Sequence, residues 1–464
     1  MYAGITPAAW GGGEGTAKGL IGKMEGCAAP RWERAQQERG EKRMLKKGRE
    51  WYQKIMDSRF PAALFYIGLT LELLVVLVDK SSLQNPYESY LFRLTFLLFL
   101  GKMLLSRRSG REWAGVLALE LIAAVFYART GANDALRIVT FVAACRGVSL
   151  KKVIKYSFWV TLAGCMTIIM LSVTGIYGAV SLTQAYGRGI SAYEVYEGAN
   201  LVTQTRYTLG MGHPNALSCM FLMLTAMGVY AYFENLKWYA YLFLLFLNAG
   251  VFLLTDSKTS MLITGCFLLG CAVLKYCRPL REKKLVYLGS FLVFILCVGF
   301  SVDAAAHAQQ VREAEWSAYY LGEQPENVHL KALVKLDGFL NGRIVSLTDT
   351  ERSDGSMQTW SLWSEEENTK HYFDMGWVKL FYRYGVIQAV LYLLACTLLL
   401  WRFYQRKDAA GAAVFAALAV YTVMEAHLVS VYIGRNFLLI VIGCLLPAAE
   451  LHTQTPNKPE GVQG

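Results

Sequence analysis

Charge is scarce in this chain, and the cysteines that an exported, disulfide-held domain would need are missing. Asp, Glu, Lys and Arg supply 17% of the 464 residues, while 55% are hydrophobic. Soluble domains average about 25% charged residues, so an ordinary soluble domain is excluded. Short alternating segments of the β-barrel kind are lacking. No Cys-x-x-Cys or Cys/His ligand spacing appears, so no metal centre is expected. No Gly-rich nucleotide loop stands beside a strand, and no cofactor is indicated. No charged stretch followed by a short apolar core opens the chain, so no signal peptide is expected.

Long apolar runs are abundant instead. They read as about twelve spans of a hydrocarbon core roughly 30 Å thick: Phe60–Val78, Tyr90–Leu105, Trp113–Tyr127, Ala135–Cys145, Tyr156–Ile176, Pro214–Ala231, Trp238–Thr255, Met261–Leu274, Leu285–Val302, Trp377–Trp401, Ala409–Leu428 and Asn436–Pro447. The expected fold class is therefore an all-α polytopic membrane protein. Basic residues mark alternate loops: Arg107, Arg108 and Arg111; Arg146, Lys151, Lys152 and Lys155; Lys275, Arg278, Arg281, Lys283 and Lys284; Arg402, Arg406 and Lys407. By the positive-inside bias these loops and both termini are cytoplasmic. The net charge of +11 is thus an orientation signal, and nucleic acid is not an expected partner. Of the ten cysteines, Cys27 precedes the spans, and the expected outer loops contain none. Disulfides across an outer loop are excluded.

The chain divides into three regions. Residues 1–58 form a basic cytoplasmic segment whose run Arg31–Lys54 offers no apolar face, so it is either disordered or a surface helix. Residues 59–450 form the transmembrane domain, with outer loops at 177–213 and 303–373. Residues 451–464 form a short cytoplasmic tail. Loops beyond about 12–15 residues are uncommon unless functional. The longer loop carries Trp316, Tyr319, Tyr320, Trp360, Trp363 and Tyr372. Those rings either meet sugar faces or form the loop's own core and interfacial contacts.

The unusual polar groups all fall on the expected outer side. Arg206-Tyr-Thr-Leu-Gly-Met-Gly-His213-Pro214-Asn215 places a cation, a titratable ring and a rigid bend before an apolar run. Membranes tolerate such groups mainly where they face a cavity. Thr255-Asp256-Ser257-Lys258-Thr259-Ser260 is a tight polar turn between spans. Its hydroxyls and N–H groups either receive an anion or cap the next helix. In Asp374–Gly385, Lys379 and Arg383 are four apart and share a helical face. His371 lies three residues before Asp374; Glu425 and His427, two apart, point to different faces; Arg435 comes after them. Arg206, Lys258, Lys379, Arg383 and Arg435 would repel one another unless an anion sat among them, and a diphosphate suits them. Asp256, Asp374, Glu425, His213, His371 and His427 could titrate near it. Arg93 and Lys102 lie near the ends of one span and can snorkel.

Together these stretches resemble the O-antigen ligase and polymerase (Wzy-type) family of bacterial surface-polysaccharide enzymes. Arg206–Asn215 is similar to its Arg-x-x-x-Gly-x-Gly-His-Pro-Asn pattern. Asp256–Ser260 resembles its Ser-Arg/Lys-Thr-Ser turn. Asp374–Gly385 resembles the element after its large outer loop, and Glu425–Phe437 its closing Glu…Asn-Phe element. The resemblance covers about Tyr156–Leu446 and implies a GT-C-like fold in the bacterial cytoplasmic membrane. It also implies metal-independent transfer of glycan from undecaprenyl diphosphate to an acceptor sugar hydroxyl outside that membrane. Donor and acceptor are then lipid-linked repeats within the bilayer, with a chain-length regulator and a flippase as candidate partners. Carried over by position, Arg206 and Lys258 would contact the diphosphate, with Arg383 and Arg435 as further candidates. Ligases have a histidine where this chain has Asp374; the departure favours a polymerase and leaves Asp374 or His371 as the base. A ligase acting on another surface acceptor, a transporter of the lipid-linked unit and a non-catalytic glycan receptor are the competing readings.

Overall fold

The computed structural model describes residues 31–83, 85–186, 202–348, 354–371, 373–430 and 432–446. The expected tail at 451–464, Tyr372 and Cys27 lie outside them. The chain divides into two units, Met1–Asp57 and Ser58–Gly464. In the first, the polar run forms one 26-residue helix, α1 (Arg31–Met56).

The second unit is a helix bundle. Its elements are α2 (Phe60–Lys80), α3 (Glu88–Leu104), α4 (Gly110–Thr130), α5 (Asp134–Ala144) and α6 (Leu150–Val173), then a ribbon of β1 (Ser181–Tyr186) and β2 (Val202–Tyr207). Next come α7 (Pro214–Tyr232), α8 (Trp238–Thr255), α9 (Lys258–Tyr276), α10 (Arg278–Glu282), α11 (Lys284–Tyr320) and α12 (Val328–Phe339). The last are α13 (Glu366–Lys370), α14 (Gly376–Tyr384), α15 (Val386–Arg406), α16 (Ala409–Met424) and α17 (Leu438–Leu445). Among the described residues eight helices, α2, α4, α6, α7, α8, α9, α11 and α15, are long and apolar enough to cross a membrane. The chain is a multi-pass helical membrane protein.

The remaining apolar segments make shorter helices. Tyr90–Leu105, Ala135–Cys145, Ala409–Leu428 and Asn436–Pro447 become α3, α5, α16 and α17, of 17, 11, 16 and 8 residues. Trp377–Trp401, expected as one span, is cut at Gly385 (φ 80°, ψ 161°) into α14 and α15. A residue with a Cβ there would meet the Ser364 nitrogen at 2.8 Å and the Leu362 oxygen at 2.9 Å, so the break needs glycine twice over. α11 runs 37 residues, about 55 Å at 1.5 Å per residue. It outlasts the hydrocarbon layer and carries on through the first part of the expected 303–373 loop. Antiparallel β1 and β2, which pair Ser181 with Tyr207 and Leu182 with Arg206, were not foreseen in the 177–213 loop.

Local chemistry sets the helix ends. Ser109 and Glu112 form a reciprocal capping box at the start of α4, and Gly131 ends that helix in the left-handed region. Pro214 occupies the first turn of α7, where its missing N–H costs nothing. Packing then sorts the spans. The apolar window of α7 is 56% buried and that of α8 17%, so α7 is central and α8 turns residues such as Phe246 and Leu253 outward, as a lipid-facing helix does.

Charges inside the bundle are paired. Glu72 of α2 accepts from Thr95 at 2.6 Å and meets Arg137 of α5 at 3.3 Å; the guanidinium also lies 3.6 Å over the Phe92 ring. Lys102 is buried and donates to Ser106 at 2.9 Å and to the Arg146 carbonyl at 3.0 Å, so it bonds backbone where snorkelling was expected. The unfavourable desolvation of such groups is offset only when partners are this close.

Candidate active site

One end of the bundle gathers chain from six places around a cavity of about 510 Å³. The ends of α8 and α9 form its first wall. The chain reverses between them through Asp256, whose φ of 49° is left-handed, and Ser257. The Ser257 side chain makes no cap bond to α9. Lys258, the first residue of α9, is exposed to the cavity.

Arg206 on β2 is 4% exposed. It donates from Nε to the Thr255 carbonyl and from Nη2 to Asn215 Oδ1 at 3.2 Å. It therefore ties the end of α8 to the first turn of α7 while lining the cavity. Beneath, Ser218 donates to Thr255 Oγ1 at 2.7 Å and Ser260 to the Ser218 carbonyl at 3.0 Å, joining α7, α8 and α9.

His213 is the N-cap of α7. Its Nδ1 accepts from the Asn215 N–H at 3.2 Å, which leaves the proton of the neutral ring on Nε2. In this role His213 is a donor toward the cavity and its base nitrogen is already used. Burial, then the Arg206 guanidinium, push its pKa below the usual imidazole value; Asp374 opposes them. The fold therefore holds the neutral ring, and this contribution is present above the unfolded value of 6.5 and lost as pH falls through the depressed folded one. Thermal unfolding in detergent should show an acid-side loss of about 1 kcal/mol from this cap. In His213→Asn, which caps without titrating, that component should be absent; equal acid sensitivity in both proteins would refute the assignment.

The second wall comes from the end of α12 and the segment after it. Gly338, Phe339, Asn341 and Arg343 line the cavity. Asn341 (φ 56°) and Gly342 (φ 73°) make the turn, and the fully buried Asp337 carboxylate accepts from the Ile344 N–H at 2.6 Å. That turn aims Arg343 inward. Its Nη2 lies 3.1 Å from Glu425 Oε1 and its Nε 3.6 Å from Asp374 Oδ2. The second distance is too long for a hydrogen bond. Among the described residues the buried Nε has no acceptor, and so offers a donor to a bound oxygen.

Asp374 and Glu425 form the third wall. Asp374 is 47% exposed and Glu425 24%. Glu425 comes directly after the last residue of α16. Burial raises its pKa, Arg343 opposes the rise and Asp374 adds to it. The two carboxylates are held together by Gly376, since a Cβ there would lie 2.7 Å from Thr422 Cγ2 and 2.9 Å from Ala426 Cα. α14 can thus sit directly on the end of α16. Tyr421, stacked on His427 at 5.0 Å, completes this wall.

No family model, curated protein or solved structure matches the chain.

Of the residues singled out in the sequence, Arg206, His213, Asp256, Ser257, Lys258, Asp374 and Glu425 meet in this cavity. Five do not line it. Arg383 pairs with Asp134 of α5 at 2.6 Å and donates to the Thr369 carbonyl; Arg435 pairs with Asp79 at the end of α2. Each guanidinium has a carboxylate partner that does not line the cavity. His371 turns toward Glu367, 3.3 Å away. His427 is buried, with Nε2 2.8 Å from the Cys219 thiol of α7. Lys379 lies on α14 within electrostatic range of Asp134 and Asp374. Arg343, Asn341 and Tyr421 line the cavity without having been singled out. For Arg343, the preceding Asn-Gly dipeptide is a turn signal.

The result is a mixed site, lined by guanidinium and ammonium groups from Arg206, Lys258 and Arg343 and by carboxylates from Asp256, Asp374 and Glu425. Such a lining offers cations to an anion and carboxylates to a proton. A second cavity of about 390 Å³ is almost wholly apolar, with Ile138, Val142, Leu391, Leu439 and Ile442 among its walls. Leu380 of α14 and Leu428, just after Glu425, border it too, so the two cavities share supporting elements.

Proposed function

We propose that this protein is a membrane glycan polymerase of the O-antigen ligase and polymerase type. The observation that carries the reading is the meeting of Arg206, Lys258 and Arg343 with Asp374 and Glu425 in one cavity at one end of a helix bundle. In this reading the shorter apolar helices complete about twelve spans in a GT-C-like arrangement in the bacterial cytoplasmic membrane. The basic loops and both termini are cytoplasmic, and the cavity faces outward. Support for that sidedness comes from α9, which starts at the cavity with Lys258 and ends at Lys275 beside the basic turn.

The substrate has an anionic head and a hydrocarbon tail. Its diphosphate lies against Arg206, Lys258 and the start of α9, and its polyprenyl chain runs along the apolar cavity. The acceptor hydroxyl, on a second lipid-linked repeat, gives its proton to Asp374. Its oxygen forms a bond to the anomeric carbon as the bond from that carbon to the diphosphate breaks on the opposite face, with inversion. The leaving lipid diphosphate develops negative charge, which fixed cations stabilise more strongly in the transition state than in the ground state. Arg343 holds both carboxylates in register. A flippase that delivers the lipid-linked unit and a chain-length regulator are the candidate partners that the resemblance implies.

The test is polymer length in cells of the source strain whose only copy carries Arg206→Ala. Folded, membrane-inserted variant should yield single-repeat products and at least a tenfold fall in long chains. An unchanged long-chain ladder would overturn the proposal. Loss of only one-step attachment to another surface acceptor would identify a ligase, and loss of lipid-linked substrate movement without loss of bond formation a transporter.

A further inference from the structure

The described residues also bring together Asp303, His307 and His329, away from the lining of either cavity. Asp303 and His307 are one turn apart on the far part of α11, beyond its apolar stretch. His329 is the second residue of α12, whose start is fixed by Asn327 accepting from the His329 and Leu330 N–H groups at 2.9 and 3.3 Å. His307 Nδ1 lies 3.1 Å from Asp303 Oδ1, and His329 Nε2 lies 3.0 Å from Asp303 Oδ2. One ligand atom from each residue lies within 4.8 Å of the others, and the rings stand edge to face at 4.9 Å.

We infer that these three side chains form a binding site for a divalent transition metal of the zinc type. Two imidazole nitrogens and one carboxylate oxygen are a donor set that such ions take, with metal–ligand distances of about 2.0–2.2 Å. A tetrahedral ion of that size holds its ligand atoms roughly 3.4 Å apart, close to the two histidine–carboxylate separations, and side-chain rotation closes the wider one. The partly exposed positions of Asp303 and His307 and the exposed His329 leave a fourth position open to water.

The site would act as a clasp. It joins the start of α12 to α11, and the end of α12 leads through Asp337 into the turn that aims Arg343 at Glu425. Occupancy would thus fix the wall that carries Arg343. This consequence for transfer rests on the function proposed above; the binding of the ion does not.

The experiment uses the full chain purified in detergent without a polyhistidine tag and stripped with a chelator. Titration with Co²⁺ should give visible d–d absorption of a protein-bound, low-coordinate ion at one equivalent, displaced by Zn²⁺. His329→Ala and His307→Ala should each weaken binding at least about 100-fold, and Zn²⁺ should raise the unfolding temperature of the parent protein alone. Arg206→Ala should bind Co²⁺ normally even if inactive, so a failure of the transfer reading leaves the metal result intact. Equal Co²⁺ binding by the parent and both histidine variants, or none by the parent, would overturn the site and leave two histidines sharing a carboxylate through hydrogen bonds. Should binding hold, chelation should lower transfer by the parent at least tenfold; unchanged transfer would overturn the clasp.

Discussion

Replacing Arg343 with alanine is expected to lower the proposed glycan transfer by two to three orders of magnitude while the protein still folds and inserts. Arg343 meets both carboxylates, at 3.1 Å from Glu425 and 3.6 Å from Asp374, and among the described residues its buried Nε has no hydrogen-bond acceptor. Loss of one donor aimed at developing charge costs about 3–4 kcal/mol in comparable sites. Removing one partner of a buried ion pair also costs stability, because the other charge is left uncompensated. Here Glu425 has an escape: burial already raises its pKa, so it can take up a proton and stay neutral. Arg343→Ala should therefore show nearly unchanged thermal unfolding at mildly acidic pH and lose stability as pH rises through the raised Glu425 value. Arg343→Ala combined with Glu425→Gln should remove that pH dependence without restoring transfer. Transfer within threefold of the parent in a folded Arg343→Ala protein would sink the assigned role.

The second large effect concerns the proton acceptor. Asp374→Asn keeps the shape of the side chain and removes its charge; a positioned base contributes about 10²–10⁴-fold, and a loss in that range is expected in the proposed transfer by the purified protein. His371→Ala should stay within about threefold, since His371 turns toward Glu367 and lines neither cavity. These two variants separate the candidates that the sequence left open. A large loss in His371→Ala with Asp374→Asn spared would reverse the assignment.

The helical, membrane-embedded character of the chain was legible from its apolar runs, and the turn residues around Asp256 and His213 marked where helices meet. Each lies at a boundary between a polar turn and a long apolar segment, where local sequence constrains the start of the next helix. Arg343 was not legible because it stands in a turn after a short helix of the long loop, and its partner Glu425 is 82 residues away. The same distance effect misplaced Arg383 and Arg435: their carboxylates, Asp134 and Asp79, are 249 and 356 residues off. Spacing reveals that a buried guanidinium needs a partner, but it does not say whether that partner is a substrate or another helix. Periodicity likewise could not divide α14 from α15, since apolar residues continue through Gly385 and only its backbone conformation ends the helix.

The uninterrupted length of α11 has a geometric consequence. An α-helix turns about 100° per residue, so a single residue inserted near Ser301 would rotate everything above it by more than a quarter of a circle. Asp303 and His307 would turn away from the helices packed beside α11 and carry His329 and the wall bearing Arg343 with them. The angular setting of that wall is a property of residue count as much as of side-chain chemistry.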